Sequence, residues 1–318
     1  MPPRLILAPL RGVTVKPFRN TLAAHFRGYC EALAPFIPTV AGERVKPALL
    51  ADISGEQAIP LVPQTIGKDP AQLRTFIAAV QTLGYTRCDL NAGCPFPFVA
   101  KKGRGSGLLA NPDLLDTLLD AACQTGIAFS VKVRLGLRDA RLLPECLPIL
   151  NRYPLHSICI HPRTAAQMYD GQVDLQTLSD LLPAIKHPVI YSGDIRNPAD
   201  LARLQMRFPT IQSWMIGRAA AANPFLAETL SFGTDTRNPE RLKAFLDDLL
   251  QVYSSTLQGN APVGRFKELW NYLRESLADG DRIWNSLKLC RSLDEYRRVA
   301  DAAFAPFRGF RDLPSTLP

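Results

Sequence analysis

The stretch DLNAGCPFPFVAKKGRGSGLL, Asp89–Leu109, carries an amide, Asn91, and a thiol, Cys94, three residues apart on a short loop. Lys101, Lys102 and Arg104 follow, interleaved with Gly103, Gly105 and Gly107. A structural cysteine needs no such neighbours. A catalytic acid that meets a polyanion does: cations grip phosphates, and glycines let a backbone approach them closely. The plainer alternative is a solvated loop that is merely basic.

The rest of the chain narrows the chemistry. Seven cysteines, an odd number with no CxxC pair, argue against a disulfide framework and against a zinc site. Most of them sit in apolar surroundings and read as core; Cys94, flanked by Gly93 and Pro95, reads as the exception. No metal is expected. The 318 residues carry 37 Lys+Arg against 29 Asp+Glu, a net charge of +8. Residues 235–318 hold 13 Lys+Arg and 12 Asp+Glu, so +7 of that excess lies in residues 1–234. A nucleic-acid face would therefore lie mostly on the larger, N-terminal part; the alternative is a basic enzyme with no such partner. No apolar run approaches the roughly 20 residues of a membrane span. MPPRLILAPLRG reads as a first strand rather than a signal peptide, so a cytoplasmic protein is expected.

Eight short apolar runs recur at residues 5–9, 29–33, 60–64, 86–91, 129–134, 156–161, 188–193 and 213–218, with helical periodicity between most of them. Asp69-Pro70 and Asn111-Pro112 pair an N-cap residue with proline at the first helical position. The alternation predicts an α/β fold, a TIM (β/α)8 barrel. Residues 35–58 are irregular and read as a loop or hairpin. After Asn223-Pro224 strand signals vanish, and the polar stretch SFGTDTRNPE, 231–240, reads as a linker. The expected organisation is a catalytic barrel over 1–230 and a small all-α helical domain over 241–318. No long coiled-coil seam is present, which favours a monomer.

In such a barrel chemistry sits at the C-terminal ends of the strands. Those ends bring Pro9, Gln64, Asn91, Lys132 with Arg134, His161 with Arg163, Ser192-Gly193-Asp194 and Gly217-Arg218 to one mouth. The loops after strands seven and eight suit a phosphate, with Gly193 and Gly217 admitting backbone N–H groups and Arg218 adding charge. Lys132 and His161 lie where they could touch a cofactor ring, and a lysine at the N1–C2=O edge of a flavin would stabilise its reduced anion. A barrel lysine paired with a carboxylate is the plainer reading of Lys132.

LAPLRGVT, VPQTIGKDP, DLNAGCP, VKVRLG, HPRTAAQMYDG, YSGDI and MIGRAAAANPF occur in the order found in tRNA-dihydrouridine synthases, and the chain resembles that family over about residues 4–226. The resemblance implies FMN in a TIM-like barrel, NADPH as electron donor, and reduction of uridine in tRNA to 5,6-dihydrouridine. It implies that Pro9 and Leu10 lie against the flavin, that Gln64, Lys132 and His161 hydrogen-bond its ring, and that Ser192, Gly193, Asp194, Gly217 and Arg218 hold its ribityl-phosphate end. Asn91 would hold the target uracil, with Lys101, Lys102, Arg104, Arg134 and Arg163 on the RNA. Cys94 would be the general acid, protonating C5 after hydride reaches C6. A thiol is mostly protonated at neutral pH, whereas serine is too weak an acid and a carboxylate is usually ionised. The uridine must also leave its stack to reach the flavin.

The chain departs from the family's usual pattern at Leu10 for methionine, Arg11 for alanine or an acid, Pro162 for a small residue, and Ser192 for asparagine. RFKELWNYLR, with Arg265, Lys267, Trp270, Tyr272 and Arg274, resembles members that act at position 16 of the D-loop; a solvated face is the alternative. Two further readings stay open: an FMN barrel dehydrogenase of a small molecule, and an RNA-binding homologue that has lost its chemistry. A ribosomal RNA substrate is a third.

Overall fold

The computed structural model describes residues 2–304 and 307–318. Ten strands form one sheet: β1 (Arg4–Leu7), β2 (Tyr29–Leu33), β3 (Ile37–Pro38), β4 (Leu61–Val62), β5 (Gln64–Ile66), β6 (Arg87–Ala92), β7 (Ala128–Gly136), β8 (Ser157–Thr164), β9 (Val189–Ser192) and β10 (Ser213–Ile216). Their order is β3-β5-β6-β7-β8-β9-β10-β1-β2-β4, and neighbours run parallel. The far ends of that order belong together, because β4 and β5 are one extended run interrupted by Pro63. β4 pairs with β2 and β5 with β6, which closes the sheet into a barrel. Proline has no N–H for the ladder, so the run expected as a single strand over 60–64 breaks in two. Its carbonyl still accepts from Asp89 N at 2.9 Å.

Residues 35–58 are neither hairpin nor plain loop. β3 adds in parallel to β5, and a four-residue helix, Pro47–Leu50, follows. The segment is pinned by the buried Arg19, which donates to Asp52 at 2.8 Å.

Side chains alternate along a strand, and that alternation builds the site. Leu5, Leu7, Leu90, Val131, Val133, Ile158 and Ile160 point outward into the apolar layer beneath the helices. Ile6, Ala8, Leu33, Val62, Cys159, Ile190 and Met215 form a separate small cluster within the barrel. The same inward parity on β5 to β8 carries Gln64, Asp89, Asn91, Lys132, Arg134, His161 and Arg163. The register sets Asn91 beside Lys132 and Arg134 beside His161. Asp69 and Asn111 cap the helices Pro70–Thr82 and Pro112–Cys123 by accepting from Gln72 N and Leu114 N, each cap worth about 1 kcal/mol.

Past the barrel, Asn238 caps the helix Pro239–Thr256, and the helices Ala261–Leu273, Gly280–Leu287 and Leu293–Phe304 follow. The first of these packs on the helix Lys16–His25 through edge contacts of Phe245 with Phe18 and Phe26, at 5.9 and 5.3 Å. Arg241 adds an ion pair to the buried Glu228 at 2.6 Å. The apolar cluster under the barrel helices continues without a break into Leu242, Leu249, Phe266 and Trp270. Among the described residues no helix is long and apolar enough to cross a membrane.

Candidate active site

One cavity opens at the C-terminal ends of the strands. Pro9, Leu10, Gln64, Asn91, Cys94, Lys132, Arg134, His161, Ser192, Gly193, Asp194, Gly217 and Arg218 all line it. Its walls also hold Arg11, Phe36, Phe96, Tyr169, Arg196, Met215 and Tyr272. The cations Arg11, Lys132, Arg134, Arg196 and Arg218 face a single carboxylate, Asp194, so the mouth suits an anionic ligand. Lys132 has no hydrogen-bond or salt-bridge partner among the described residues; the carboxylate near it, Asp89, feels its charge without a direct bond.

A hydrogen-bonded chain climbs from the barrel interior to the cysteine. Gln64 Nε2 donates to Asp89 Oδ2 at 2.8 Å, and Asn91 Nδ2 donates to Gln64 Oε1 at 2.9 Å. Asn91 Oδ1 then accepts from the backbone N–H groups of Gly93 and Cys94, at 3.1 and 2.8 Å. Asparagine is suited here because it offers donor and acceptor on one planar group. Asp89 is buried, and burial pushes its carboxyl up to about 7 despite the Gln64 hydrogen bond and the nearby Lys132 charge.

Cys94 is 6 % exposed and contributes to the cavity wall. Burial raises its thiol pKa against the opposing pull of the Phe96 backbone, Arg134 and Arg11, so the sulfur stays protonated at neutral pH. It is therefore no exception to cysteine burial; the exposed cysteine is Cys30. Two of the glycines after it, Gly105 and Gly107, are required by the loop's own packing, a Cβ on Gly107 clashing with the Ala100 carbonyl oxygen. Gly105 has φ +56°, and a Cβ there would lie 2.8 Å from Cys94 Cβ and 2.9 Å from its carbonyl oxygen. Ser106 completes the support, its hydroxyl donating to the Cys94 carbonyl at 2.9 Å.

A second network backs the opposite wall. Asp194 holds a positive φ of 37°, a conformation that costs a non-glycine residue energy and needs outside support. Arg163 supplies it through hydrogen bonds to both carboxylate oxygens, and Arg218 donates to Oδ1 at 2.7 Å. Burial opposes the charge on Asp194, but the Arg163 hydrogen bonds and the two guanidinium charges outweigh it and keep its pKa below the usual carboxylate value. Arg163 Nη1 also lies 3.2 Å from His161 Nε2. A guanidinium only donates, so Nε2 accepts and the imidazole proton resides on Nδ1. Burial, followed by the charges of Arg134 and Lys132, holds His161 neutral well below its ordinary pKa. Tyr169 lies under the guanidinium groups of Arg218 and Arg134, at 4.7 and 5.3 Å from its ring centre. Arg134 is buried, which pulls its pKa down to about 10 and leaves it charged at neutral pH.

Four expected residues are not brought to the cavity wall. Lys101 and Lys102 are exposed and Arg104 half-buried on the neighbouring loop. Arg163, expected on the RNA, has a side chain only 1 % exposed. The reason is strand length: β8 runs on to Thr164, three residues past the expected end at 161, so the alternation that turns His161 inward turns Arg163 inward as well. Tyr169, Phe36 and Tyr272 were not legible as cavity residues, because they lie on loops or, for Tyr272, on the helix Ala261–Leu273; Arg11, already singled out as a departure from the family pattern, lines the wall with them. Trp270 on that helix is core, donating to Tyr296 Oη at 2.9 Å. Among the described residues no three His, Cys, Asp or Glu side chains cluster as metal ligands.

The family profile described as dihydrouridine synthase (Dus) matches residues 6–295. A tRNA-dihydrouridine(16) synthase of Cupriavidus necator is 33% identical over 234 residues, 70% of this chain and 72% of that one. A protein of the same name from Ralstonia nicotianae is 28% identical over 317 residues, covering 95% and 96%. A tRNA-dihydrouridine synthase B of Pseudomonas aeruginosa is 30% identical over 230 residues, covering 71% and 68%. Among solved structures, morphinone reductase superposes with a TM-score of 0.50 at 14% identity, over 74% of this chain and 87% of that one, a likeness of fold alone.

Proposed function

The chain belongs to the dihydrouridine synthase family and is an enzyme that makes dihydrouridine in tRNA; from that premise we propose that it does so with FMN in the barrel mouth, NADPH as reductant and Cys94 as general acid. The observation that carries this reading is Cys94: a buried thiol kept protonated, on the wall of the same cavity as Gln64, Lys132 and His161.

The cavity's residues fit FMN. Pro9 and Leu10 offer an apolar strip for a flat ring. With His161 Nε2 facing Arg163, its Nδ1–H and Lys132 Nζ are donors without a partner among the described residues and would serve ring heteroatoms. Ser192, Gly193, Gly217 and Arg218 serve the ribityl-phosphate end, and Asp194 orients Arg218. When bound and reduced, FMN supplies hydride to uracil C6. The remaining work belongs to the chain. Asn91 holds the Cys94 loop and keeps one Nδ2 hydrogen for the uracil. Cys94 gives its proton to C5, which quenches the negative charge spread over C5 and O4. The resulting thiolate is stabilised by Arg134 and Arg11 until solvent returns a proton. This gives Arg11, unexpected from the family pattern, a reason to be cationic. Arg163 acts at one remove, setting His161 and Asp194. Lys101, Lys102 and Arg104 meet tRNA phosphates outside the cavity.

The helices from Pro239 onward would dock tRNA, with Tyr272 reaching the mouth. The relatives named for position 16, together with RFKELWNYLR, favour that uridine. Purified protein supplied with FMN and NADPH is expected to convert unmodified tRNA, not ribosomal RNA, to a product with dihydrouridine at position 16. Conversion at another position would remove the positional assignment, and no conversion of any tRNA would remove the function.

A further inference from the structure

We propose that Phe96 and Phe98 form a stacking platform for the unpaired tRNA bases that adjoin the target uridine, an inference that rests on the function proposed above. Both rings face solvent, 39 % and 58 % exposed, with centroids 6.2 Å apart and planes tilted by 34°. Large apolar side chains exposed singly are ordinary, as Met206, Phe232 and Leu289 are here. An adjacent aromatic pair beside a catalytic loop is different.

The backbone fixes both rings. Pro97 restricts Phe96 to extended geometry, φ −59° and ψ 126°, and opens the short helix Pro97–Ala100. Val99 and Ala100 donate back to the Phe96 carbonyl at 2.9 and 3.0 Å. Val99 turns inward and packs with Ile66 and Cys94, so Phe98 must turn outward. The platform is thus anchored to the general acid. Phe96 also lines the cavity, and the pair leads from the cavity wall out to solvent.

The charge around the pair selects the partner. Between Asp89 and Asp113 there is no acidic residue, while Lys101, Lys102 and Arg104 follow within six positions of Phe98, and Lys68 lies against Gly103. Aromatic faces set in a cationic surface suit single-stranded RNA: the rings take bases of any identity and the cations take phosphates. A flipped uridine leaves its neighbours partly unstacked, and a rigid ring pair next to the pocket restores that stacking.

The test uses full-length, FMN-loaded protein and tRNA lacking dihydrouridine. Three variants are compared with wild type: Phe98→Ala, Phe98→Leu and Phe98→Tyr. Stacking predicts that Ala and Leu raise the Kd for tRNA about tenfold, that Tyr binds like wild type, and that NADPH reduces the flavin at one rate in all four. Leu or Ala binding tRNA as wild type does would overturn the platform, and should Ala fail to fold, the Leu-against-Tyr comparison decides. Wild type that binds tRNA yet forms no dihydrouridine refutes the proposed function and leaves the platform to the binding data. Wild type that does not bind tRNA overturns both.

Discussion

The side-chain oxygen of Asn91 accepts the Cys94 backbone N–H at 2.8 Å, while its amide nitrogen donates to Gln64 at 2.9 Å. One amide thus ties the Cys94 loop to the barrel interior. Removing it leaves the Gly93 and Cys94 N–H groups and Gln64 Oε1 without their partner, at about 1–3 kcal/mol for a buried group. Asn91→Ala is expected to lower thermal stability by several degrees, and to cut dihydrouridine formation at least about tenfold while the flavin still reduces. Paired melts and product assays check this, and a variant with unchanged product would release Asn91 from its role.

On the proposed assignment of Cys94 as the acid, its protonated form is the active one. Burial raises its pKa above the ordinary thiol value of about 8.5. Single-turnover product formation from pre-reduced enzyme is therefore expected to fall as pH rises through the alkaline range in which that proton is lost. A rate that climbs with pH across the same interval would mean that thiolate is the active form.

Arg163 and Arg218 share Asp194 but differ in exposure. Arg163→Met strips a buried carboxylate of its buried partner and is expected to cost about 3–5 kcal/mol, read as a lower urea midpoint. Arg218→Ala, whose side chain is 30 % exposed, is expected to fold but to purify with little FMN. Flavin absorbance per polypeptide reports the second outcome, and a fully yellow Arg218→Ala would remove the phosphate assignment.

The fold was readable from the sequence because eight apolar runs alternate with helical patterns and proline-led caps. The reading slipped where a single residue decides the outcome. Pro63 splits one strand into two pieces, and the extra parallel strand Ile37–Pro38 is too short to leave a periodic signal. Gln64, Asn91, Lys132 and His161 were legible as cavity residues because they lie toward strand ends. Arg163 was misplaced by a three-residue error in the end of β8. Gly105 reads as a phosphate-loop glycine until the Cys94 backbone is seen beneath it. Tyr169 and Tyr272 reach the cavity by tertiary routes that no local spacing encodes.

Lys101 and Lys102 are exposed, outside the cavity. Replacing both with alanine is expected to weaken tRNA binding and to reduce the slope of log K against log salt by about 1.4–1.8 for two lost phosphate contacts. Flavin content and NADPH oxidation are expected to hold. An unchanged salt slope would show that these lysines face solvent only.

The most direct measurement is Cys94→Ala, loaded with FMN, reduced by NADPH and then mixed with unmodified tRNA. The expected result is flavin binding and reduction as in wild type, with dihydrouridine formed about 10²- to 10⁴-fold more slowly, the range a general acid contributes. Product at a near-normal rate would contradict Cys94 as the proton donor.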